Sequence, residues 1–178
     1  MKLKRILRLT TISILFFFIC ILFAVPRNFA AETDGTNRCN SITLENAATI
    51  LGVSTDDLQK RNIDIMVSPD DVTKKTFKIQ PCNCTIRSKS NFLNGINYII
   101  YTYNDPEQAR IDFNKMQTNY ETVSKVDVVP DIGDETFWVG DNRFQRMVTI
   151  KGDVLVDVLG PKEFDLQKQI IRLVLGNL

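Results

Sequence analysis

The chain contains no histidine in its 178 residues. This absence excludes Ser-His-Asp and Cys-His catalysis, imidazole-ligated zinc, and the general base that most often works near neutral pH. The sequence also lacks a glycine-rich phosphate-binding loop of either the dinucleotide-binding or the P-loop pattern. An enzyme built from this chain would depend on carboxylates or thiols alone. We therefore expect a non-enzymatic protein without a cofactor or a metal.

Clustered positive charge is scarce beyond the first residues of the chain. The 22 Lys and Arg residues face 21 Asp and Glu residues, but five of the basic residues and none of the acidic ones lie in residues 1–31. Residues 32–178 therefore carry 17 basic and 21 acidic groups, a net charge of −4. Nucleic-acid recognition depends on clustered Lys and Arg that neutralise phosphates, so we exclude nucleic acid as a partner.

The N-terminal residues have the pattern of an export signal. A basic start precedes an uninterrupted apolar run, Ile14–Val25, which is shorter than the ~20 residues needed to span a bilayer. The pattern predicts a signal peptide over residues 1–31, with cleavage near Ala30. An uncleaved anchor is the alternative, because the apolar stretch lengthens to Leu9–Val25 if its hydroxyl residues are tolerated. Both alternatives place the remainder outside the cytoplasm, periplasmic or secreted, with membrane contact only through this segment.

The remaining chain is predicted to form one domain. Residues 32–38 are polar and predict a disordered lead-in. Residues 39–178 have the length and apolar content of a single domain with its own core.

Three cysteines follow the export segment: Cys39, Cys82 and Cys84. An odd number in an oxidising compartment predicts one disulfide and one further thiol. We expect Cys82 and Cys84 to point to opposite faces of a strand, so that only one of them meets Cys39. The pair Cys39–Cys84 is favoured because Cys82 follows Pro81 and is the poorer strand residue, although pairing through Cys82 stays open. The bond would contribute about 3 to 4 kcal/mol in a loop-closure account.

Alternating polarity predicts strands in the second half of the chain. Five stretches show the pattern: Cys84–Ser88, Ile96–Tyr103, Thr136–Val139, Phe144–Ile150 and Val154–Leu159. Turn formers such as Asn94-Gly95 and Lys151-Gly152-Asp153 join them into hairpins. A weaker pattern predicts helical turns over Ser54–Arg61 and a strand over Ile63–Val67.

Capping residues predict the helices. Thr43 has the character of an N-cap and Gly52 that of a helix stop, while Asp105 followed by Pro106 marks a second start. The segment Lys162–Leu175 is amphipathic and predicts a third helix. Because hairpins predominate over parallel crossovers, the fold class is α+β, an antiparallel sheet of about five strands with helices packed on it.

Three groups of side chains are candidates for chemistry. The first is an acidic group: Asp131, Asp134, Glu135 and Asp141. It suggests a calcium site or a carboxylate pair, but its spacing matches no calcium loop and favours turn chemistry. The second is the Cys82-Asn83-Cys84 stretch, which suggests a redox pair. A structural disulfide is favoured, because no thioredoxin-like context surrounds it. The third is an aromatic group: Tyr98, Tyr101, Tyr103 and Trp138. It suggests a ligand groove, with core packing favoured.

Several of these residues together carry a family resemblance. They are Cys39 before a helix ending in Ile50-Leu51-Gly52, Cys84 opening a strand, the Val-x-x-x-Gly-Asp-Glu stretch Val129–Glu135, Lys151-Gly152-Asp153 and a final helix. The arrangement resembles small bacterial envelope domains, similar to mycobacterial lipoproteins of unknown function and to the extracellular sensor domain of the kinase PknH. Some of these domains have a PsbP-like α+β fold. The resemblance implies binding or sensing and transfers no catalytic residue.

The sequence thus predicts an exported bacterial domain that binds or senses an unknown small ligand or an envelope protein. One alternative is a thiol-dependent oxidoreductase that uses Cys82 and Cys84. A secreted inhibitor or effector fits the same sequence features.

Overall fold

The computed structural model describes residues 35–64, 75–140 and 145–178, so the predicted export segment lies outside the described residues. The helices are α1 (Leu44–Leu51), α2 (Pro106–Glu121) and α3 (Phe164–Gly176), with two 3-10 helices, η1 (Gly35–Ser41) and η2 (Thr55–Asp57). The strands are β1 (Leu58–Asp64), β2 (Phe77–Ser88), β3 (Gly95–Tyr103), β4 (Val126–Val128), β5 (Glu135–Gly140), β6 (Gln145–Lys151) and β7 (Val154–Gly160). None of the helices within these ranges is long and apolar enough to cross a membrane.

The strands form one sheet in the order β1-β2-β3-β7-β6-β5-β4, in which every neighbouring pair is antiparallel. The predicted α+β class is therefore confirmed, but the estimate of about five strands is too low, because the sheet has seven. The strand β4 is three residues long, too short to show an alternating pattern. The predicted helical turns over residues 54–61 reduce to η2, and β1 takes up the rest of that segment.

The sheet separates two apolar cores, because successive side chains of a strand point to opposite faces. One face, here called the α1/α3 face, is covered by η1, α1 and α3, and its strand residues include Ile96, Tyr98, Ile100, Val156 and Val158. The other, the α2 face, packs against Ala109 and Phe113 of α2, and its strand residues include Phe137, Val139, Val148, Ile150 and Leu155. The strands β3 and β7 contribute to both cores, as the apolar residues on both faces of Ile96–Tyr103 predict.

The helix starts follow the predicted caps. The Thr43 hydroxyl accepts a hydrogen bond from the Asn46 backbone N–H at 3.2 Å, and Gly52 ends α1 with a φ of 65°. The Asp105 carboxylate accepts from the Glu107 N–H at 3.0 Å, and Pro106 is the first residue of α2. Each side-chain acceptor satisfies one of the backbone donors that a helix start leaves without a partner.

The described chain starts in η1. Residues 35–38, the described part of the predicted disordered lead-in, belong to this 3-10 helix, and residues 32–34 lie outside the described residues. The Tyr98 hydroxyl donates to the Cys39 carbonyl at 3.0 Å, and Arg38 donates to the Thr102 hydroxyl. These contacts and the disulfide at Cys39 attach the polar segment to β3 and β2, which composition alone does not reveal.

A buried ion pair joins the central strands on the α2 face. Asp157 of β7 is fully buried, and Arg146 of β6 donates from Nε and Nη2 to its two carboxylate oxygens. The Nη1 atom of Arg146 donates to the Tyr120 hydroxyl near the end of α2. Burial raises the pKa of the Asp157 carboxyl, and the hydrogen bonds from Arg146 act in the opposite direction. One guanidinium thus connects β6, β7 and α2.

Removing Arg146 should destabilise the fold strongly. The substitution Arg146→Ala leaves the Asp157 carboxylate buried without its counter-charge, and we expect a loss of about 3 to 5 kcal/mol in the free energy of unfolding. Urea denaturation followed by circular dichroism measures this loss. The control is Lys78→Ala, which removes the exposed pair of Lys78 with Asp153 at 3.7 Å and should cost less than about 1 kcal/mol. Similar losses in both variants would contradict the role assigned to Arg146.

Candidate functional site

A groove opens at one end of the sheet, between the β2–β3 loop at residues 89–94 and the β7–α3 connection at residues 161–163. It has a volume of about 630 Å³. A neighbouring cavity of about 290 Å³ lies along β1 and β2 and shares Arg87 and Phe92 with it. We call the two together the Arg87 groove, defined by Gln59, Arg61, Arg87, Phe92 and Asn97.

Strand register places the polar walls of the groove on the α2 face. Arg87 lies opposite Gln59, and Thr85 lies opposite Arg61, in the antiparallel pairing of β1 with β2. The helix α2 packs over β3, β7, β6 and β4. At the β1–β2 end of this face the side chains of Arg61 and Arg87 are exposed to solvent. The groove is thus the end of the sheet face that lies beyond α2.

Two guanidinium groups share this open surface. Arg61 and Arg87 are diagonal neighbours on adjacent strands, close enough for long side chains to meet. In the described part of the chain, no ion pair includes either arginine. Two like charges repel each other at this spacing, and an anion between them would remove the repulsion. The part of the groove between Arg61 and Arg87 therefore favours an anion.

The loop that carries Phe92 is held by Asp57. The Asp57 carboxylate accepts hydrogen bonds from the Ser90 N–H and the Ser90 hydroxyl, both at 2.9 Å, and from the Ser88 hydroxyl. The backbone carbonyl of Asp57 accepts from the Lys89 N–H at 2.6 Å. The hydrogen bonds from Ser88 and then Ser90 lower the pKa of the Asp57 carboxyl.

The loop presents apolar side chains to solvent at the rim of the groove. Phe92 is 69% exposed and Leu93 is 80% exposed. Exposing these apolar side chains to water is unfavourable, and an occupant of the groove would cover part of that surface. Gly95 follows the loop, and a Cβ added there would lie 2.8 Å from both the Arg87 Cγ and the Ile86 carbonyl oxygen. Glycine at this position therefore leaves the space that the Arg87 side chain occupies.

The three cysteines lie together where η1 packs on β2. Cys39 and Cys84 form a disulfide with a Cα–Cα distance of 5.2 Å, which is the pair favoured from the sequence. The expectation that Cys82 and Cys84 point to opposite faces is wrong. Residues two apart in a strand share a face, and their Sγ atoms are 3.8 Å apart in the buried α1/α3 core. In the described ranges this is the one group of three potential metal-ligating residues whose ligand atoms converge.

The structure does not bring the acidic candidates together, and two of them have separate partners. The Asp134 carboxylate accepts from the Gly152 N–H at 2.7 Å, and Glu135 pairs with Arg110 of α2. Asp131 is exposed, with a φ of 66°. Asp141 lies outside the described residues. Asp134 thus supports the β6–β7 turn, while Glu135 forms an exposed ion pair with α2.

The aromatic candidates are divided between the two faces of the sheet. Tyr98 belongs to the α1/α3 core, and Trp138 packs edge-on against Phe164 with ring centroids 5.3 Å apart. Tyr101 and Tyr103 pack in the α2 core, where burial raises the pKa of Tyr101 to about 12. These four side chains therefore line no common groove. The aromatic residue that lines the groove is Phe92, which lies in the predicted connection between two strands. The sequence signal that could have identified it is the pair of large apolar residues, Phe92 and Leu93, within that polar connection.

We expect the Asp57 hydrogen bonds to control the order of the β2–β3 loop. The substitution Asp57→Asn should increase amide hydrogen exchange at residues 88–94. The substitution Asp56→Asn should leave it unchanged, because the exposed Asp56 side chain makes no hydrogen bond to the loop among the described residues. Folding lowers the pKa of Asp57, so its carboxylate stabilises the loop at pH values above ~3.9, the pKa in the unfolded chain. This stabilisation is lost as the pH falls through the lower pKa that Asp57 has in the folded protein.

Hydrogen exchange of the unmodified protein at a series of acidic pH values checks this direction. After correction for intrinsic exchange rates, protection in the loop should decline selectively below about pH 4. Equal exchange in the Asp57→Asn and Asp56→Asn variants would contradict the assignment.

Comparison with known proteins relates the fold to solved structures. No family model matches the chain, and no curated protein matches it. The extracellular domain of PknH from Mycobacterium tuberculosis is similar, with a TM-score of 0.50 and 13% identity over 76% of this chain and 90% of that one. A GTP-binding regulator from Thermotoga maritima aligns with a TM-score of 0.42 and 15% identity over 75% and 88% of the two chains. The resemblance to the PknH extracellular domain that the sequence motifs indicate is thus confirmed at the level of the fold.

Proposed function

We propose that this chain is a non-enzymatic, extracytoplasmic binding domain that senses a small anionic ligand in the Arg87 groove. The observation that carries the proposal is the pair of exposed arginines, Arg61 and Arg87, which share one surface without an ion-pair partner among the described residues. The ligand class follows from this charge and from the apolar rim.

The groove suits a ligand that combines an anionic group with a small apolar part. A planar guanidinium binds carboxylate or phosphate through two parallel hydrogen bonds, and Arg87 lies where both parts of the groove meet. Phe92 supplies an aromatic surface beside it. The part of the groove that Arg61 and Arg87 both line has a volume of about 290 Å³ and the adjoining part about 630 Å³. The two together fall within the range of ~300 to 1,000 Å³ that is typical of small-molecule sites.

Two further features support the location and the non-enzymatic role. The predicted export segment and the likeness in fold to an extracellular domain support an extracytoplasmic location, and a PsbP-like fold is part of the same proposal. The three cysteines, the residues of the oxidoreductase alternative, are at most 1% exposed, whereas a thiol oxidoreductase must present a thiolate to its substrate. Binding therefore accounts for the exposed groups better than thiol turnover does.

Loss of either groove arginine should weaken anion binding. Phenyl phosphate is a suitable probe because it joins a phosphate to an aromatic ring, and isothermal titration calorimetry measures its affinity. We expect Arg61→Gln and Arg87→Gln each to weaken binding about tenfold or more, since a charge-assisted hydrogen bond contributes about 1.5 to 3 kcal/mol. Added salt should weaken binding to the unmodified protein as well.

The matched control is Arg172→Gln, which removes an exposed arginine from α3 and should leave the affinity unchanged. Phenol, which has the ring without the phosphate, should bind more weakly than phenyl phosphate. Affinities that are the same in all three variants contradict the proposal. So does a protein that binds neither phenyl phosphate nor benzoate.

A further inference from the structure

The three buried cysteines form a sulfur cluster that ligand binding in the groove does not use. The Cys39 Sγ atom, already bonded to Cys84, is 2.7 Å from the Cys82 Sγ atom. The Sγ atoms of Cys82 and Cys84 are 3.8 Å apart. All three side chains are 0 to 1% exposed. A third sulfur therefore lies in contact with a disulfide inside the core.

Strand geometry makes Cys82 and Cys84 competitors for the same partner. Both lie on the α1/α3 face of β2, and η1 places Cys39 over them. Cys84 occupies a regular part of the sheet, opposite Asn62 of β1 and Tyr98 of β3. The register between β2 and β3 shifts between Ile79 and Cys82. Cys82 also directly follows Pro81, which has no N–H to donate. Cys82 also has a register partner on each side, Asp64 of β1 and Ile100 of β3, but it lies at the end of the regular pairing, next to the shift.

Two cationic side chains lie close to Cys82. Arg38 of η1 and Lys60 of β1 both interact electrostatically with Cys82. Burial lowers the pKa of Lys60, and the interaction with Cys82 opposes that change. The thiolate is the form of cysteine that attacks a disulfide, and neighbouring cations stabilise it.

We propose that Cys39, Cys82 and Cys84 form an intramolecular thiol–disulfide exchange site. The Cys82 thiolate attacks the Cys39 Sγ atom, the Cys39–Cys82 bond forms, and the Cys39–Cys84 bond breaks. Cys84 leaves as a thiolate and takes up the proton that Cys82 released. The step exchanges one disulfide for another, so it needs no external oxidant or reductant.

The exchange moves the covalent attachment of η1 by two residues along β2, a distance of about 7 Å. The contacts of the same segment, from Arg38 to Thr102 and from Tyr98 to the Cys39 carbonyl, lie at the site of this change. The protein thus has two covalent forms that differ in how its N-terminal segment is fixed to the sheet.

Disulfide mapping of the unmodified full-length protein tests the proposal. The protein is held at neutral pH, digested with pepsin at acidic pH, where exchange is suppressed, and analysed by electron-transfer fragmentation, which separates Cys82 from Cys84. We expect the Cys39–Cys82 linkage in about 1% or more of the molecules beside the Cys39–Cys84 linkage, the range of a populated minor state. A Cys39–Cys82 population below that level overturns the proposal.

Two matched variants give a second test. Cys84→Ser should fold and contain the Cys39–Cys82 disulfide, whereas Cys82→Ser should retain Cys39–Cys84 as its only linkage among these positions. A folded Cys84→Ser protein that keeps Cys39 and Cys82 as thiols, in a glutathione buffer that oxidises Cys82→Ser, overturns the proposal. The Arg87→Gln variant should show the same linkages as the unmodified protein, because the exchange is independent of the groove.

Discussion

The pairing of β3 with β7 is the constraint on which the rest of the structure depends. These strands carry apolar side chains on both faces, so the sheet must be covered on both sides. On one side, η1, α1 and α3 supply that cover. On the other side α2 packs over β3, β7, β6 and β4. A helix is ~10 Å wide while neighbouring strands lie ~4.8 Å apart, so one helix covers only part of a seven-stranded face. The open Arg87 groove is a consequence of this arrangement.

Local chemistry explains which parts of the fold were predictable from the sequence. The starts of α1 and α2 follow from Thr43 and Asp105, because a cap bonds to backbone donors within three residues of itself. The hairpin of β6 and β7 follows from alternation on either side of Gly152. The neighbour that β3 gains in β7 is more than 50 residues away in the sequence, and no local pattern specifies it. The strands β1 and β4 were missed or misplaced for a related reason, since polar or very short segments become strands only through their partners.

The candidate site was harder to predict than the fold, because its parts come from distant segments. Arg61 lay in a predicted helical turn, Phe92 in a predicted loop, and the β7–α3 connection closes the groove from the other end of the chain. By contrast, the residues that the sequence made conspicuous lie elsewhere: Tyr98 packs in the core, and Glu135 forms an exposed ion pair with Arg110 of α2. The sequence identified the three cysteines as a group, but it placed Cys82 and Cys84 on opposite faces of their strand, which is wrong. The two-residue period of a strand places Cys82 beside Cys84 rather than across the sheet.

The Cys39–Cys84 bond also determines how the domain carries mechanical load. Tension applied from the N-terminal side passes through η1 to the covalent bond and enters β2 near its middle. There the hydrogen bonds of β2 to β1 on one edge and to β3 on the other resist the force together. The segment between the two cysteines, which contains α1 and β1, lies within the closed covalent loop, so the pull does not pass along its backbone. A force that reaches the domain by this route leaves the Arg61 side of the groove in place until β2 itself is drawn from the sheet.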